Sequence, residues 1–142
     1  MTIIDGFIDD PDKEEAIREA LREIYLEKGS RAEELFLRSV QNMPLPAWCK
    51  EIKRATEYED LHENTDFIAE TNSGVVRIQI KSSIDGLRYF LEKVERGEIN
   101  PEILCVVVNP ADTPRQVVAN FLPLFTRWKK KLERGPKVSD NE

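Results

Sequence analysis

The chain has 142 residues and a mass of 16.4 kDa, which suffices for one hydrophobic core and predicts a single domain over residues 1–142. Hydrophobic residues make up 40% and charged residues 34%, a balance that excludes wholesale disorder, and no apolar run approaches the ~20 residues of a membrane span. The net charge of −6 lies entirely within residues 1–35, so it is weak evidence against a nucleic-acid partner. The N-terminus lacks the pattern of a secretory signal, and we expect a cytoplasmic protein with reduced cysteines.

The N-terminal part of the chain predicts two helices. Residues 11–28 repeat apolar side chains at helical spacing, with Pro11 in the first turn and acidic residues near the start. Gly29 is expected to end this helix. Ser30 and Glu33 then form the Ser-x-x-Glu pattern of a capping box, which predicts a second helix over residues 30–43.

A β-hairpin is predicted in the middle of the chain. Residues 47–58 favour an irregular or edge strand, and residues 60–64 a polar loop. Residues 67–70 and 75–80 predict two strands joined by a short turn containing Gly74. Side chains alternate along the second strand, so Gln79 and Lys81 face away from its apolar residues.

The remaining chain predicts a βαβ unit. A helix over residues 84–96 precedes the continuous apolar run 103–108, which is typical of a buried strand parallel to the one before the helix. A last helix begins at Pro114, is interrupted at Pro123, and leaves a frayed tail from residue 135. The predicted fold is therefore α/β, a small mixed sheet flanked by helices.

Four residues carry the predicted chemistry. The hairpin brings Asp66, at the start of its first strand, close to Gln79 and Lys81 at the end of its second. A helical projection places Glu33 inside the apolar arc of its helix, whereas Glu34 falls on the polar side. Because an unpaired charge facing the sheet is costly, a metal ion or a lysine is expected beside Glu33. Oxygen ligands next to an ammonium group are typical of a magnesium site for an anionic substrate.

These residues resemble the PD-(D/E)xK nuclease superfamily, which includes archaeal Holliday junction resolvases and many restriction endonucleases. The resemblance covers residues 28–83, through the segments KGSRAEE and TDFIAETNSGVVRIQIKSS. It implies a restriction-endonuclease-like fold and a Mg²⁺-dependent (or Mn²⁺-dependent) nuclease that hydrolyses DNA phosphodiesters, with RNA as an alternative substrate. Asp66, Glu33 and Gln79 would be the metal ligands, and Lys81 the catalytic cation.

The sequence departs from the superfamily pattern at two positions. Gln79 stands where the superfamily usually has Asp or Glu, which removes one negative charge from the implied site, and Thr65 stands where a proline usually precedes the aspartate. An alternative is therefore a catalytically inactive scaffold that binds nucleic acid or protein. An unrelated α/β interaction domain is a third reading. The acidic first helix suits a partner or a second copy in a homodimer.

Nucleic-acid contacts are expected from two sources. Ser82 and Ser83 stand at a helix N-terminus, where backbone N–H groups favour phosphate, although such serines more often cap the helix. Cations that could follow a phosphate backbone are also available. They are Lys50, Lys53, Arg54, Arg77 and the run Lys129 to Lys131. Each of the four site residues also has a purely structural explanation, as a cap, a turn acid or the solvent face of a strand.

Overall fold

The computed structural model describes residues 11–135, and within them the chain forms four helices and one four-stranded mixed sheet. The helices are α1 (Pro11–Asn42), α2 (Glu57–Glu63), α3 (Ile84–Glu95) and α4 (Pro114–Arg134). The strands are β1 (Cys49–Arg54), β2 (Phe67–Thr71), β3 (Gly74–Lys81) and β4 (Leu104–Val107). The predicted α/β class is confirmed. The tail from residue 136 lies outside the described residues.

The sheet has the strand order β1-β2-β3-β4, with β1 as an edge strand. β2 and β3 form the predicted antiparallel hairpin, in which Phe67 lies opposite Ile78. β3 and β4 are parallel, as the βαβ pattern predicts, and Gln79 is paired with Cys105. Mixed pairing places the end of β1, the start of β2 and the ends of β3 and β4 at one end of the sheet.

Helices cover both faces of this sheet. One face packs on α1 and α4 through a large apolar core, and the other packs on α3 through a smaller one. Alternation along the strands explains the division, because Leu104 and Val106 belong to the first core and Ile103 and Cys105 to the second. The smaller core leaves part of its sheet face to polar side chains.

Gly29 does not end a helix, which corrects the prediction of two N-terminal helices. α1 runs without a break through Gly29 and Ser30, so Ser30 and Glu33 do not form a capping box. A glycine inside a helix costs only about 1 kcal/mol relative to alanine. The second half of α1 is fixed by burial of Phe36 and Val40, and continuing the helix satisfies the backbone around Gly29.

Residues 60–64 do not form a loop, because most of them belong to α2. Thr56 and Glu59 cap this helix reciprocally: the Glu59 N–H donates to Thr56 Oγ1 at 3.2 Å, and the Thr56 N–H donates to Glu59 Oε1 at 2.8 Å. Asn64 ends α2 in the left-handed conformation, at φ 51°. The Thr-x-x-Glu pattern of residues 56–59 is the sequence signal for this helix.

Pro123 does not interrupt the last helix. α4 is continuous from Pro114 to Arg134, and Pro123 lies on its exposed side. The neighbouring Phe121 and Phe125 are fully buried and stack with ring centroids 4.8 Å apart. Burial of this aromatic pair outweighs the backbone hydrogen bond that proline removes.

Candidate active site

Three strand ends meet beside α1 and α2. β1 ends at Arg54, β2 begins directly after Asp66, and β3 ends at Lys81. The backbone fixes Asp66 firmly, because its N–H donates to Ile78 O at 2.8 Å and its carbonyl accepts from the Ala55 N–H at 2.9 Å. The antiparallel pairing of β2 with β3 thus places Asp66 and Lys81 on adjacent strands at the same end of the sheet.

Asp66 is a buried carboxyl group in an acidic neighbourhood. Only 7% of the residue is exposed, and its Oδ2 accepts a hydrogen bond from the Ile80 N–H at 2.8 Å. The pKa of Asp66 is raised from 3.8 to about 7, chiefly by burial, with smaller contributions from the negative charge of Glu33 and a side-chain hydrogen bond with Asp60, while the Ile80 N–H opposes the rise. Asp66 is therefore half-protonated near neutral pH unless a cation lies beside it.

Glu33 reaches the same end of the sheet from α1. Its side chain is 30% exposed, whereas that of Glu34 is 58% exposed, in agreement with the helical projection. Burial raises the pKa of Glu33, as does the negative charge of Asp60, while Arg54 and Lys81 oppose this. The side chains of Glu33, Asp60 and Asp66 are called the acid cluster below.

Arg54 is the direct counter-charge of Glu33. Its Nη1 lies 3.4 Å from Glu33 Oε1, and its Nη2 lies 2.9 Å from Glu34 Oε2. The guanidinium also packs over the Phe67 ring, 5.3 Å from the centroid. Arg54 therefore binds within the protein, at the site itself, instead of standing free for a phosphate backbone.

Gln79 contributes a buried oxygen without a partner. Its Oε1 is inaccessible to solvent and accepts no hydrogen bond from any residue between 11 and 135. Leaving a buried polar atom unpaired costs about 1–3 kcal/mol, so such an atom requires an explanation, and one explanation is an absent ligand. Cys105, its partner in β4, is a thiol whose pKa burial raises to about 12, which makes it inert as a nucleophile.

Lys81 is the cation of the site on β3. Its charge lowers the pKa of both Glu33 and Cys105. It forms no ion pair with any residue of the described range. The Lys81 stem runs along α3 at Gly86, where an added Cβ would lie 3.3 Å from Lys81 Cβ. Gly86 thus leaves room for this stem.

Asp60 is the site residue that the sequence interpretation missed. It was assigned to a polar loop, whereas α2 holds it against Asp66. The detectable signal is the capping box of Thr56 and Glu59, which starts the helix at Glu57 and so places Asp60 in its first turn.

Most of the predicted nucleic-acid contacts have partners within the chain. Lys53 Nζ lies 2.8 Å from Glu70, and Arg77 Nη1 lies 2.6 Å from Glu63 and 3.4 Å from Glu59. Lys50 is exposed, and its charge lowers the pKa of Glu70.

The two serines lie between β3 and α3. Ser83 caps α3, because its Oγ accepts from the Gly86 N–H at 3.1 Å, and Ser82 is half-buried beside it. These two serines directly follow Lys81 in the chain.

The chemical type of the donor atoms suits a hard divalent cation. The site offers carboxylate oxygens from Asp66 and Glu33 and an amide oxygen from Gln79. However, residues 11–135 contain no group of three or more His, Cys, Asp or Glu side chains arranged to hold a metal ion. The ion pair with Arg54 engages one of the carboxylates that such a group would need.

Comparisons with known proteins give no independent evidence for a function, so a functional assignment depends on the residues described above. No protein-family model matches the chain, and no curated protein and no solved structure matches it either. Among the described helices none is long and apolar enough to cross a membrane.

Proposed function

We propose that the chain is a Mg²⁺-dependent nuclease that hydrolyses phosphodiester bonds in DNA. The observation that carries this proposal is the meeting of Asp66, Glu33 and Lys81 at one end of the sheet, beside the unpartnered Gln79 oxygen. The resemblance to PD-(D/E)xK nucleases supports the same assignment, and with it a restriction-endonuclease-like fold. RNA remains the alternative substrate.

In this proposal, Asp66, Glu33 and Gln79 hold Mg²⁺ or Mn²⁺. The metal would polarise a phosphate oxygen and lower the pKa of a bound water. A cation at this site would also relieve the repulsion within the acid cluster and provide a partner for the unpaired amide oxygen of Gln79.

The chain's own residues have distinct tasks. Lys81 supplies a point charge that stabilises the extra negative charge developing on the phosphate. Asp66 loses its proton and keeps the hydrogen bond from the Ile80 N–H, which favours its charged form. Arg54 releases Glu33 and retains Glu34, so it need not leave the site. Ser82 and Ser83 flank the N-terminus of α3, which favours an incoming phosphate.

A second candidate is a catalytically inactive scaffold that binds nucleic acid or protein. The ion pair between Arg54 and Glu33 favours this second candidate, because in a site that no longer binds metal an arginine can neutralise the carboxylate in place of the metal ion. The neutral side chain of Gln79 is also consistent with a site that no longer binds metal.

Metal titration separates the two candidates. Isothermal calorimetry with Mn²⁺ should show one binding event in the native chain and none in Asp66→Asn, which keeps the shape of the side chain but not its charge. Asp85→Asn is the matched control, because Asp85 is a 92% exposed aspartate at the start of α3, and it should bind Mn²⁺ normally.

Cleavage of a labelled DNA duplex and of a single strand in Mg²⁺ completes the test. Binding and cleavage that both disappear in Asp66→Asn support the nuclease. A native chain that binds DNA but takes up no Mn²⁺ would instead establish the scaffold.

A further inference from the structure

The first half of α1 projects beyond the core. Within residues 11–31 no residue is buried, whereas burial begins at Ala32. Five large side chains in this projecting part are nonetheless hydrophobic and exposed, and one of them is Leu26 (67% exposed). The other four form the α1 stripe: Ile17 (43% exposed), Leu21 (46%), Ile24 (58%) and Tyr25 (69%).

The α1 stripe follows the spacing of a coiled-coil seam. Ile17, Leu21 and Ile24 are separated by four and three residues, which keeps them on one side of the helix. The same spacing continues to Glu14 three residues before Ile17 and to Lys28 four residues after Ile24. The seam therefore begins with an acid, is apolar in the middle, and ends with a base.

We propose that this face of α1 binds a second copy of the same chain, with the two helices antiparallel. An antiparallel arrangement centred on Leu21 places Glu14 of each copy against Lys28 of the other, at both ends of the seam. A parallel arrangement would instead oppose glutamate with glutamate and lysine with lysine. The seam is therefore complementary to itself in only one orientation.

The surroundings of Lys28 fit the first turn of the partner helix. Lys28 forms no ion pair with a residue of the described range, and it lines a groove together with Ile24, Arg31, its ion-pair partner Glu27 and the loop 109–111. The first turn of α1 is acidic, with Asp12 and Glu14, so Lys28 provides positive charge where the partner's negative end arrives. Glu14 holds Arg18 of its own helix at 2.6 Å, and a second carboxylate oxygen is left for Lys28.

The contact is expected to be weak and dependent on concentration. The projecting part, residues 11–31, is about 30 Å long, and a single pair of such helices gives an interface at the small end of the specific range. We therefore expect a dissociation constant in the micromolar range.

The test measures the mass of the full chain by sedimentation equilibrium over a concentration series, for two matched variants. Leu21→Glu places two carboxylates opposite each other at the centre of the seam and should weaken the dimer by at least about 100-fold. Leu26→Glu makes the same change on the opposite side of the helix, at a 67% exposed residue, and should leave the dimer unchanged. Circular dichroism verifies that both variants retain helix.

The orientation is tested by exchanging charges. Glu14→Lys and Lys28→Glu should each weaken the dimer about tenfold or more, and the double variant should restore it. A chain that is monomeric at every concentration overturns the proposal, because the α1 stripe then does not bind a second copy. A dimer that tolerates Leu21→Glu, or that responds equally to Leu26→Glu, overturns it as well.

Discussion

The charged residues on the polar face of the sheet are paired differently from those at its end. On the face, each cation has a carboxylate: Lys53 lies 2.8 Å from Glu70, and Arg77 lies 2.6 Å from Glu63. At the end, the acid cluster holds three carboxylates, but Arg54 pairs only with Glu33 of the cluster and with Glu34 outside it. The ion pairs on the face stabilise the fold modestly, whereas the repulsion within the acid cluster lowers the stability of the folded state. Such local conflicts concentrate at functional sites.

The largest difference should appear when one lysine from each region is replaced. If the proposed nuclease mechanism is right, Lys81→Met removes the charge that stabilises the transition state and should reduce kcat for DNA cleavage by at least about 1,000-fold, equivalent to about 4 kcal/mol. Lys53→Met removes a lysine that serves only Glu70 and should keep kcat within about twofold. Rates of cleavage at saturating Mg²⁺ measure both. Activity of Lys81→Met within tenfold of the native chain would remove Lys81 from the mechanism.

The free energy of unfolding should reveal the cost of the acid cluster. Because burial raises the pKa of Asp66 from 3.8 to about 7, the folded chain binds more protons than the unfolded chain between these values. Stability in the presence of a chelator should therefore fall as the pH rises from 4 to 7, by roughly 4 kcal/mol at most.

Asp66→Asn should remove this loss, so that urea denaturation at pH 8 without metal gives a variant about 1–3 kcal/mol more stable than the native chain. Glu70→Gln is the control from the paired region. Lys53 lowers the pKa of Glu70, so this variant should be slightly less stable, with the opposite sign. Equal pH profiles for the native chain and Asp66→Asn would contradict the origin assigned to the shift.

A smaller effect is expected from crowding the Lys81 stem. In Gly86→Ala, the new Cβ would lie 3.3 Å from Lys81 Cβ, so the stem must move by a few tenths of an ångström. We expect kcat to fall roughly 3- to 10-fold, because a displaced charge stabilises the transition state less well. Steady-state kinetics should show the loss in kcat, with melting temperature little changed.

Gly29→Ala provides the matched comparison and the smallest effect. Gly29 is also helical, but nothing lies within 4 Å of its added Cβ. Alanine should raise the free energy of unfolding by about 0.5–1 kcal/mol through helix propensity and leave cleavage unaffected. Thermal denaturation would detect the gain, and a destabilised variant would show that the helix is strained at this residue.

Local patterns predicted the sheet well. Alternation along β3 and the apolar run of β4 identified the hairpin and the parallel pair, because each pattern reports burial directly. The helical projection of Glu33 also agreed with the structure, since it depends only on helix geometry.

The errors arose where packing from distant residues decides the outcome. Gly29 and Pro123 are local signals for ending a helix, and both are overruled by aromatic residues that pack in the core, such as Phe36 and Phe121. The partners of Arg54 and Arg77 depend on strand register and on the placement of α2, which no local pattern specifies.

α1 also has a consequence for how the protein opens. A single helix of 32 residues contains one half that is fixed by the core and another that is maintained by its own backbone hydrogen bonds and exposed ion pairs such as Glu14 with Arg18, with Gly29 close to the boundary. In dilute protein, amide hydrogens of residues 32–42 should exchange with solvent only through global unfolding, whereas those nearer the start should exchange through local fraying. A protease should accordingly cut the chain before residue 29 and release a fragment in which the entire sheet survives.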